Sequence, residues 1–545
     1  MFHETSGKAC FSFRETRETP IPWEIIAHLL YRRALFIDSP GAFSYSTLAS
    51  AGAAYTHYRR HRMPDHTPSD LAGFFKPKSI AIIGVSRSSS SFGGMSFLHH
   101  LVAAGYQGTI YPINPKASNV QGIRAYPDLA SLPEAPDLVM VAVQASAVPS
   151  VLEESGRLGI KYIHVLSAGF GELGTEEGAT LEKRVSSIAA TYGLLLMGPN
   201  CMGPYCPAFR LTAWGAIPGR DGGLGIISQS GGITQRLTEQ VSSLGVGVSR
   251  AASIGNATVL DSTDFLEYMA GDDDIDVIVM YLESVRDGRL LFELARDVTP
   301  RKPIILLKGG RTEIGAATVA SHTGTLAGNG RLWQAFFDQA GVTPVSCMNE
   351  WVDAILAFSF LPETEGDSLF IIGGGGGNSV IFSDGAVGEG LAVPPLSPAS
   401  MKRIRPIVPV AGSIAGNPLD LWESFVNGDR LCDLLDTAYR DPNIHMVIAD
   451  RLIPRIAFHS AEMPDPTSGI IDFIHTHKER KPTVFTIDYD GGDPELNAKG
   501  AALRRRFCEA GIPAYPSFER AIRALSHFRR YHDHLRKISG KIKLF

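Results

Sequence analysis

From residue 78 onward the chain alternates between short apolar runs rich in β-branched residues and longer stretches with apolar positions at helical spacing. The runs Ser79–Val85, Thr109–Ile113, Leu138–Val143, Tyr162–Leu166 and Leu194–Met197 are apolar at consecutive rather than alternate positions. Strands of that kind are buried on both faces, as parallel strands with crossover helices must be. A second series is expected at Leu224–Ser228, Val246–Ser249, Val277–Tyr281, Ile304–Lys308 and Thr343–Val345, with helical patterns over Thr234–Leu244 and Ser262–Met269 between them. A third opens at Ser368–Ile372 and continues through His445–Ala449, Thr483–Asp488 and Pro513–Tyr515. The prediction is an α/β protein of three doubly wound domains, spanning 71–214, 215–365 and 366–545.

Residues 1–70 show no such alternation and are rich in Arg, His, Tyr and Ser. Within them Pro22–Phe36 reads as an amphipathic helix, because Glu24, His28, Arg32 and Arg33 interrupt its apolar run. At Met63 a short polar lead runs into the first strand, and translation is expected to start there. At the other end Phe518–Lys537 forms a helix with Ile522, Leu525 and Phe528 at helical spacing amid Arg and His. That basic face is read as solvated, with no partner assigned.

Composition narrows the function. With 51 Lys and Arg against 56 Asp and Glu, the formal charge is −5, so the basic footprint of a nucleic-acid or anionic-membrane binder is missing. No stretch approaches the ~20 apolar residues of a membrane span, and the charged N-terminus is no signal peptide. The six cysteines are scattered without the spacing of a metal site, and are read as reduced thiols in the cytoplasm. No metal site is expected on the chain, and small molecules or another protein are its expected partners.

Candidate chemistry collects at strand ends. After the first strand come Gly84-Val85-Ser86-Arg87, a serine run and Gly93-Gly94, then the helix Met95–Ala104. Small residues at such a turn let backbone approach a phosphate, and the helix N-terminus adds free N–H groups and a positive dipole end. The spacing is not G-x-G-x-x-G, and the second strand ends in Lys116, which suits a phosphate where an NAD ribose would want an acid. The alternative is a turn in which the glycines serve only geometry. Ser167-Ala168-Gly169-Phe170 and Gly198-Pro199-Asn200-Cys201 end two further strands, and in an open parallel sheet these loops converge on one crevice, favouring a bound cofactor there.

A second anion cradle is predicted at Ser228-Gln229-Ser230-Gly231, where a strand meets a helix; the competing reading is an ordinary Ser-capped helix. The sharpest feature is the segment from Lys308 to Gly328, built almost wholly of Gly, Ala, Ser and Thr around one histidine, His322. It reads as a mobile loop carrying a nucleophile. A neutral imidazole attacking phosphorus needs one ring nitrogen held by an acceptor, and Glu283, at a strand end of the same domain, is assigned as that orienter. A surface salt bridge is the alternative for Glu283.

Taken together, Gly84-Val85-Ser86-Arg87, Tyr111–Lys116, Gly198–Gly203, Ser228–Gly232, Ser253-Ile254-Gly255-Asn256, Tyr281-Leu282-Glu283 and Ala320–Gly324 occur in the order found in NDP-forming acyl-CoA synthetases. The chain resembles that branch of the succinyl-CoA synthetase superfamily from about residue 71 to the end, since Gly373–Gly377, Asn417–Asp420 and Tyr515–Ala521 resemble its third, ligase-type domain. The resemblance implies a Rossmann-like coenzyme A domain followed by two flavodoxin-like domains. It implies that Gly84, Ser86, Arg87 and Lys116 meet the coenzyme A nucleotide and phosphates, with Ser167, Gly169 and Asn200 in the same crevice. It further implies that His322 becomes a phosphohistidine steadied by Glu283, and that Ser228, Gln229, Ser230 and Gly231 face the phosphoryl group.

Two departures stand out. Ser88–Ser91 replace the Pro, Gly and Lys residues usual in the family's first turn, and no ATP-grasp module follows residue 365. The resemblance therefore implies an alpha-type subunit of an ADP-forming synthetase. ATP or ADP with Mg2+ would bind through an ATP-grasp beta-type subunit in a hetero-oligomer, with a small carboxylic acid as substrate. The alternative is a non-enzymatic coenzyme A or acyl-CoA sensor; an NAD(P) oxidoreductase is disfavoured by Lys116 and the glycine spacing.

Overall fold

A computed structural model describes residues 68–85, 93–215, 220–323, 330–373, 375–408, 414–421, 427–450, 465–488 and 492–542, the side chains of 320–323 and 541–542 excepted. The expected helix at Pro22–Phe36 and the start at Met63 lie outside the described residues. The described residues form one compact unit.

The first sheet comprises β1 (Ser79–Ile83), β2 (Thr109–Ile113), β3 (Leu138–Val141), β4 (Tyr162–Val165) and β5 (Leu195–Met197), parallel throughout in the order β2-β1-β3-β4-β5. Its consecutive apolar residues have two cores to fill. Ile80, Ile82, Leu138 and Met140 join the large cluster that extends into the rest of the chain, while Ala81, Ile83, Val139 and Val141 pack a separate cluster on the other face. The crossover helices include α1 (Gly94–Ala104), α2 (Val148–Arg157) and α3 (Glu176–Tyr192).

The second sheet contains β6 (Gly203–Cys206), β7 (Leu211–Thr212), β8 (Leu224–Ser228), β9 (Val248–Ser253), β10 (Val277–Leu282), β11 (Ile304–Lys308) and β12 (Thr343–Val345), ordered β12-β11-β10-β8-β9-β6-β7. Its five parallel strands repeat the order of the first sheet, and β6 and β7 extend it antiparallel along β9. The second sheet thus starts at Gly203, ahead of the boundary expected near 215. A hairpin of this length is too short to be read as strands from periodicity alone.

Strand β9 also runs four residues beyond its expected end, because Arg250 is inside it. Arg250 is 1% exposed and its guanidinium is held by Asp272 at 3.3 Å and Asp274 at 2.8 Å, so a charge that should end a buried strand is neutralised within the fold.

Helices α4 (Gly231–Ser243), α5 (Ser262–Ala270), α6 (Gly288–Val298), α7 (Glu313–Thr323), α8 (Gly330–Ala340) and α9 (Met348–Phe360) flank this sheet. The segment expected to be a loop is helical over Glu313–Thr323. Thr312 opens that helix, its hydroxyl accepting from Gly315 N–H at 3.1 Å, and alanines at 316, 317 and 320 favour helix more than any other residue.

The third sheet joins β13 (Leu369–Ile372), β14 (Met446–Asp450), β15 (Thr483–Thr486) and β16 (Ala514–Tyr515) in linear parallel order, with α10 (Gly375–Gly388) following β13. The C-terminal helix α11 (Phe518–Ile542) buries Ile522, Leu525 and Phe528. It packs along α9, and Asp353 of α9 receives both nitrogens of the Arg520 fork at 2.6 and 2.8 Å. Among the described residues no helix is long and apolar enough to cross a membrane.

Candidate active site

Both predicted cradles lie where strand order reverses. In an order of the type 2-1-3-4-5 the crevice opens between the first and third strands at their carboxyl ends. In the first sheet that point is the turn after β1; in the second it is the turn after β8.

At the first, Gly84 has φ +96°, and a Cβ there would lie 2.2 Å from the Ala142 carbonyl oxygen. Only glycine closes this turn against the β3 end. A Cβ on Gly94, the first residue of α1, would fall 2.8 Å from Gly84 oxygen, so the helix N-terminus is drawn onto the strand end, with Gly93 facing open space. Asn114 ties in β2: its amide donates to Val85 oxygen at 2.7 Å and its carbonyl accepts from Lys116 N–H at 2.8 Å, leaving Lys116 exposed beside the turn. A glycine turn, an open helix N-terminus and a lysine fit an anionic cofactor. Ser86 and Arg87 lie outside the described residues.

The other loops predicted to line this crevice do converge. The Ser167 hydroxyl donates to Val143 oxygen, and Asn200 N–H donates to Ser167 oxygen at 2.9 Å. Asn200 is itself left-handed, with φ +58°, after a cis Gly198–Pro199 bond. Gly169 N–H and Phe170 N–H donate to the Glu172 carboxylate at 2.5 and 3.2 Å. Burial would raise the Glu172 pKa, but these N–H groups and the Asn256 amide outweigh it and hold the carboxyl below its usual range.

At the second cradle most side chains are turned inward. Ser230 is the helix cap, its hydroxyl accepting from Ile233 N–H at 3.4 Å, and Ser228 is fully buried with its hydroxyl on Ser230 oxygen at 2.9 Å. The Gln229 side-chain oxygen accepts from the N–H groups of Glu283 at 2.6 Å and Ser284 at 3.0 Å, so it braces the neighbouring strand end. Gly231 and Gly232 begin α4, where the first N–H groups of a helix have no intrahelical partner; a Cβ on Gly232 meets nothing within 4 Å, whereas one on Gly231 would fall 2.3 Å from Met202 Cγ. The capped-helix alternative thus holds for the Ser230 side chain.

Glu283 is buried, not a surface residue, and its carboxylate accepts from the Tyr281 hydroxyl at 3.0 Å. Beside it Lys308 donates to Glu283 carbonyl oxygen at 2.8 Å and to Gly309 oxygen, with its ammonium 5.2 Å above the Trp333 ring. Burial pulls the Lys308 pKa down to about 8, against the opposing pull of Glu283. Burial, with Glu283 adding to it, pushes the Tyr281 hydroxyl well up. Lys308 escaped assignment in the sequence, although a lysine closing the otherwise apolar strand Ile304–Lys308 was a readable signal.

The backbone of His322 lies in the last turn of α7, and its side chain lies outside the described residues. Helix α7 packs against the turn Gly171–Leu173, directly after the Ser167–Phe170 loop, so the histidine-bearing helix abuts the first crevice. In the third sheet, Asp450 ends β14 as a buried carboxylate. Burial raises its carboxyl to about 6, although the Thr486 hydroxyl donates to it at 2.7 Å.

Comparisons with known proteins agree with this geometry. Residues 78–207 match the CoA binding domain model and residues 221–358 the succinyl-CoA ligase like flavodoxin domain model. The acetate–CoA ligase [ADP-forming] I subunit alpha of Pyrococcus furiosus is 36% identical over 84% of this chain and 96% of its own length. The acetate–CoA ligase [ADP-forming] of Methanocaldococcus jannaschii is 33% identical over 84% of this chain, but only 62% of that longer protein is matched. In structure, the dinucleotide forming acetyl-coenzyme A synthetase 1 of Candidatus Korarchaeum cryptofilum, solved with phosphate and ADP, superposes with a TM-score of 0.76 at 30% identity, over 87% of this chain and 99% of that one. With this sheet order and this extent of identity, the chain belongs to the ADP-forming acyl-CoA ligases, a family of acid–thiol ligases.

Proposed function

We propose that the chain is the alpha-type subunit of an ADP-forming acyl-CoA ligase, interconverting acyl-CoA, ADP and phosphate with a carboxylic acid, coenzyme A and ATP. The observation that carries this reading is the packing of the His322 helix against the turn Gly171–Leu173, directly after the Ser167–Phe170 loop. Coenzyme A would sit at the Gly84 turn with Lys116, Ser167, Gly169 and Asn200 around it, and Ser86 and Arg87 would complete the phosphate contacts. A phosphate oxygen attacks the thioester carbonyl and coenzyme A leaves as its thiol, giving an acyl phosphate. His322 then takes the phosphoryl group and the carboxylate leaves. Transfer to the terminal phosphate of ADP makes ATP and restores neutral imidazole.

In these steps Gly231 and Gly232 present N–H groups and the α4 dipole to the phosphoryl oxygens. Ser228, Gln229 and Ser230 hold that helix end and the Glu283 strand end in place. Glu283 accepts from the histidine ring and so steadies the phosphohistidine. The nucleotide with Mg2+ binds on an ATP-grasp beta-type subunit, which the unmatched remainder of the longer M. jannaschii protein supports. The site of action is the cytoplasm, and the assembly is a hetero-oligomer.

The test is intact-mass analysis of the purified chain and its His322→Ala variant after incubation with phosphate and a panel of acyl-CoAs, with and without a candidate ATP-grasp subunit. An acid-labile phosphoryl adduct that vanishes in the variant is expected. Tight acyl-CoA binding with no adduct under any condition would replace the ligase with a sensor.

A further inference from the structure

The two crevices are joined by one loop. It leaves β9 beside the second cradle, where Ile254 N–H donates to Ser228 oxygen at 2.8 Å. Two residues later it lies along the cis-proline turn of the first unit: Asn256 N–H donates to Pro199 oxygen at 3.0 Å and Thr258 N–H to Gly198 oxygen at 3.1 Å. The backbones touch, since a Cβ on Gly255 would fall 2.3 Å from the carbonyl oxygens of both Pro199 and Asn200.

At the tip, the Asn256 side chain uses both ends of its amide. Its nitrogen donates to Glu172 at 2.6 Å and to Glu182 at 3.0 Å, and its oxygen accepts from the Asn200 amide at 3.2 Å. Glu172 holds the N–H groups of Gly169 and Phe170, and Glu182 holds that of Gly171 at 2.9 Å. Asn256 therefore reaches, through two carboxylates, three consecutive N–H groups of the loop that ends β4. An amide is the group suited to the place: it bridges two anions as donor while remaining an acceptor, which neither Asp nor Leu can do.

We infer that Asn256 is the positioning residue that holds the Ser167–Gly171 loop and Asn200 in register with the phosphate cradle, so that the cofactor crevice and the phosphoryl site are set by a single strut. The inference rests on the reading of the first crevice as the coenzyme A site.

The experiment has two arms on the full chain. In the first, hydrogen exchange is followed without ligand in wild type, Asn256→Ala and Glu172→Gln. Faster exchange over 167–173 in both variants, with thermal midpoints close to wild type, is expected. In the second, coenzyme A binding is measured by calorimetry; Asn256→Ala is expected to weaken it by tenfold or more, and the double variant to be no weaker than Asn256→Ala alone. Unchanged exchange and affinity within twofold in a folded Asn256→Ala would overturn the strut, as would additive losses in the double variant. Should Asn256→Ala not fold, Glu172→Gln carries the same test, because it keeps the shape of the side chain and removes the charge that the amide and two N–H groups share. If wild type binds no coenzyme A, the cofactor reading fails, while the exchange arm still decides the strut.

Discussion

The first and second sheets have the same strand order, and each turns from its first strand into a helix at the switch point, yet the two turns are finished in different ways. The first is made by absence: Gly84 and Gly94 bring strand end and helix end into backbone contact, and Asn114, after β2, reaches in to the Val85 carbonyl. The second is made by side chains that satisfy one another: Ser228, Gln229, Ser230, Glu283 and Lys308 are bonded within the turn or to neighbouring strand ends, and two glycines begin the helix. The comparison teaches that one topology can finish two switch-point turns in opposite ways. On the proposed reading the first receives the cofactor and the second the phosphoryl group.

Substitutions can break this comparison. The largest effect is expected at Gly84→Ala, where the new Cβ meets the Ala142 carbonyl in a left-handed residue; a loss of about 2–4 kcal/mol should appear in urea denaturation, with coenzyme A binding lost as well. Next comes Lys308. Its folded pKa, about 8, lies below the ordinary value of 10.5, so the unfolded chain holds a proton that the native one has released between those values. Stability contributed by this group therefore rises with pH across pH 8–10.5, and the wild-type urea midpoint should gain on that of Lys308→Met over this window. Ser230→Ala removes a helix cap and should cost about 1 kcal/mol, read from the same midpoints.

The smallest effect on stability sharpens the contrast most. A Cβ on Gly232 meets nothing within 4 Å, so Gly232→Ala should be neutral or stabilise by up to about 1 kcal/mol through helix propensity. The same methyl group would stand where the phosphoryl oxygens approach, so phosphohistidine formation should fall while the thermal midpoint does not. A variant that keeps full adduct formation would show that the first N–H groups of α4 are not the contact.

Most of the sheet architecture was legible because buried parallel strands are apolar on both faces, and β2, β8, β11 and β12 lie where their runs of residues place them. The exceptions have physical causes. Arg250 sits inside β9 because Asp272 and Asp274 neutralise it from a distant loop, and the β6–β7 hairpin is too short for any period to show. The Gly- and Ala-rich segment before His322 was read for its missing apolar surface, whereas its alanines and the Thr312 cap make it a helix.

The sequence by itself determined the α/β class, the strand ends that carry glycine, serine and lysine, and the histidine that stands out in its segment, because these depend on residue type and local spacing. Tertiary structure alone decided which polar groups face one another. Gln229 braces Glu283, Lys308 lies over the Trp333 ring, and Asn256 bridges Glu172, Glu182 and Asn200 across 56 to 84 residues of chain. A hydrogen bond has a range of about 3 Å in space and none along the sequence, so only the packing of the folded chain could assign those partners.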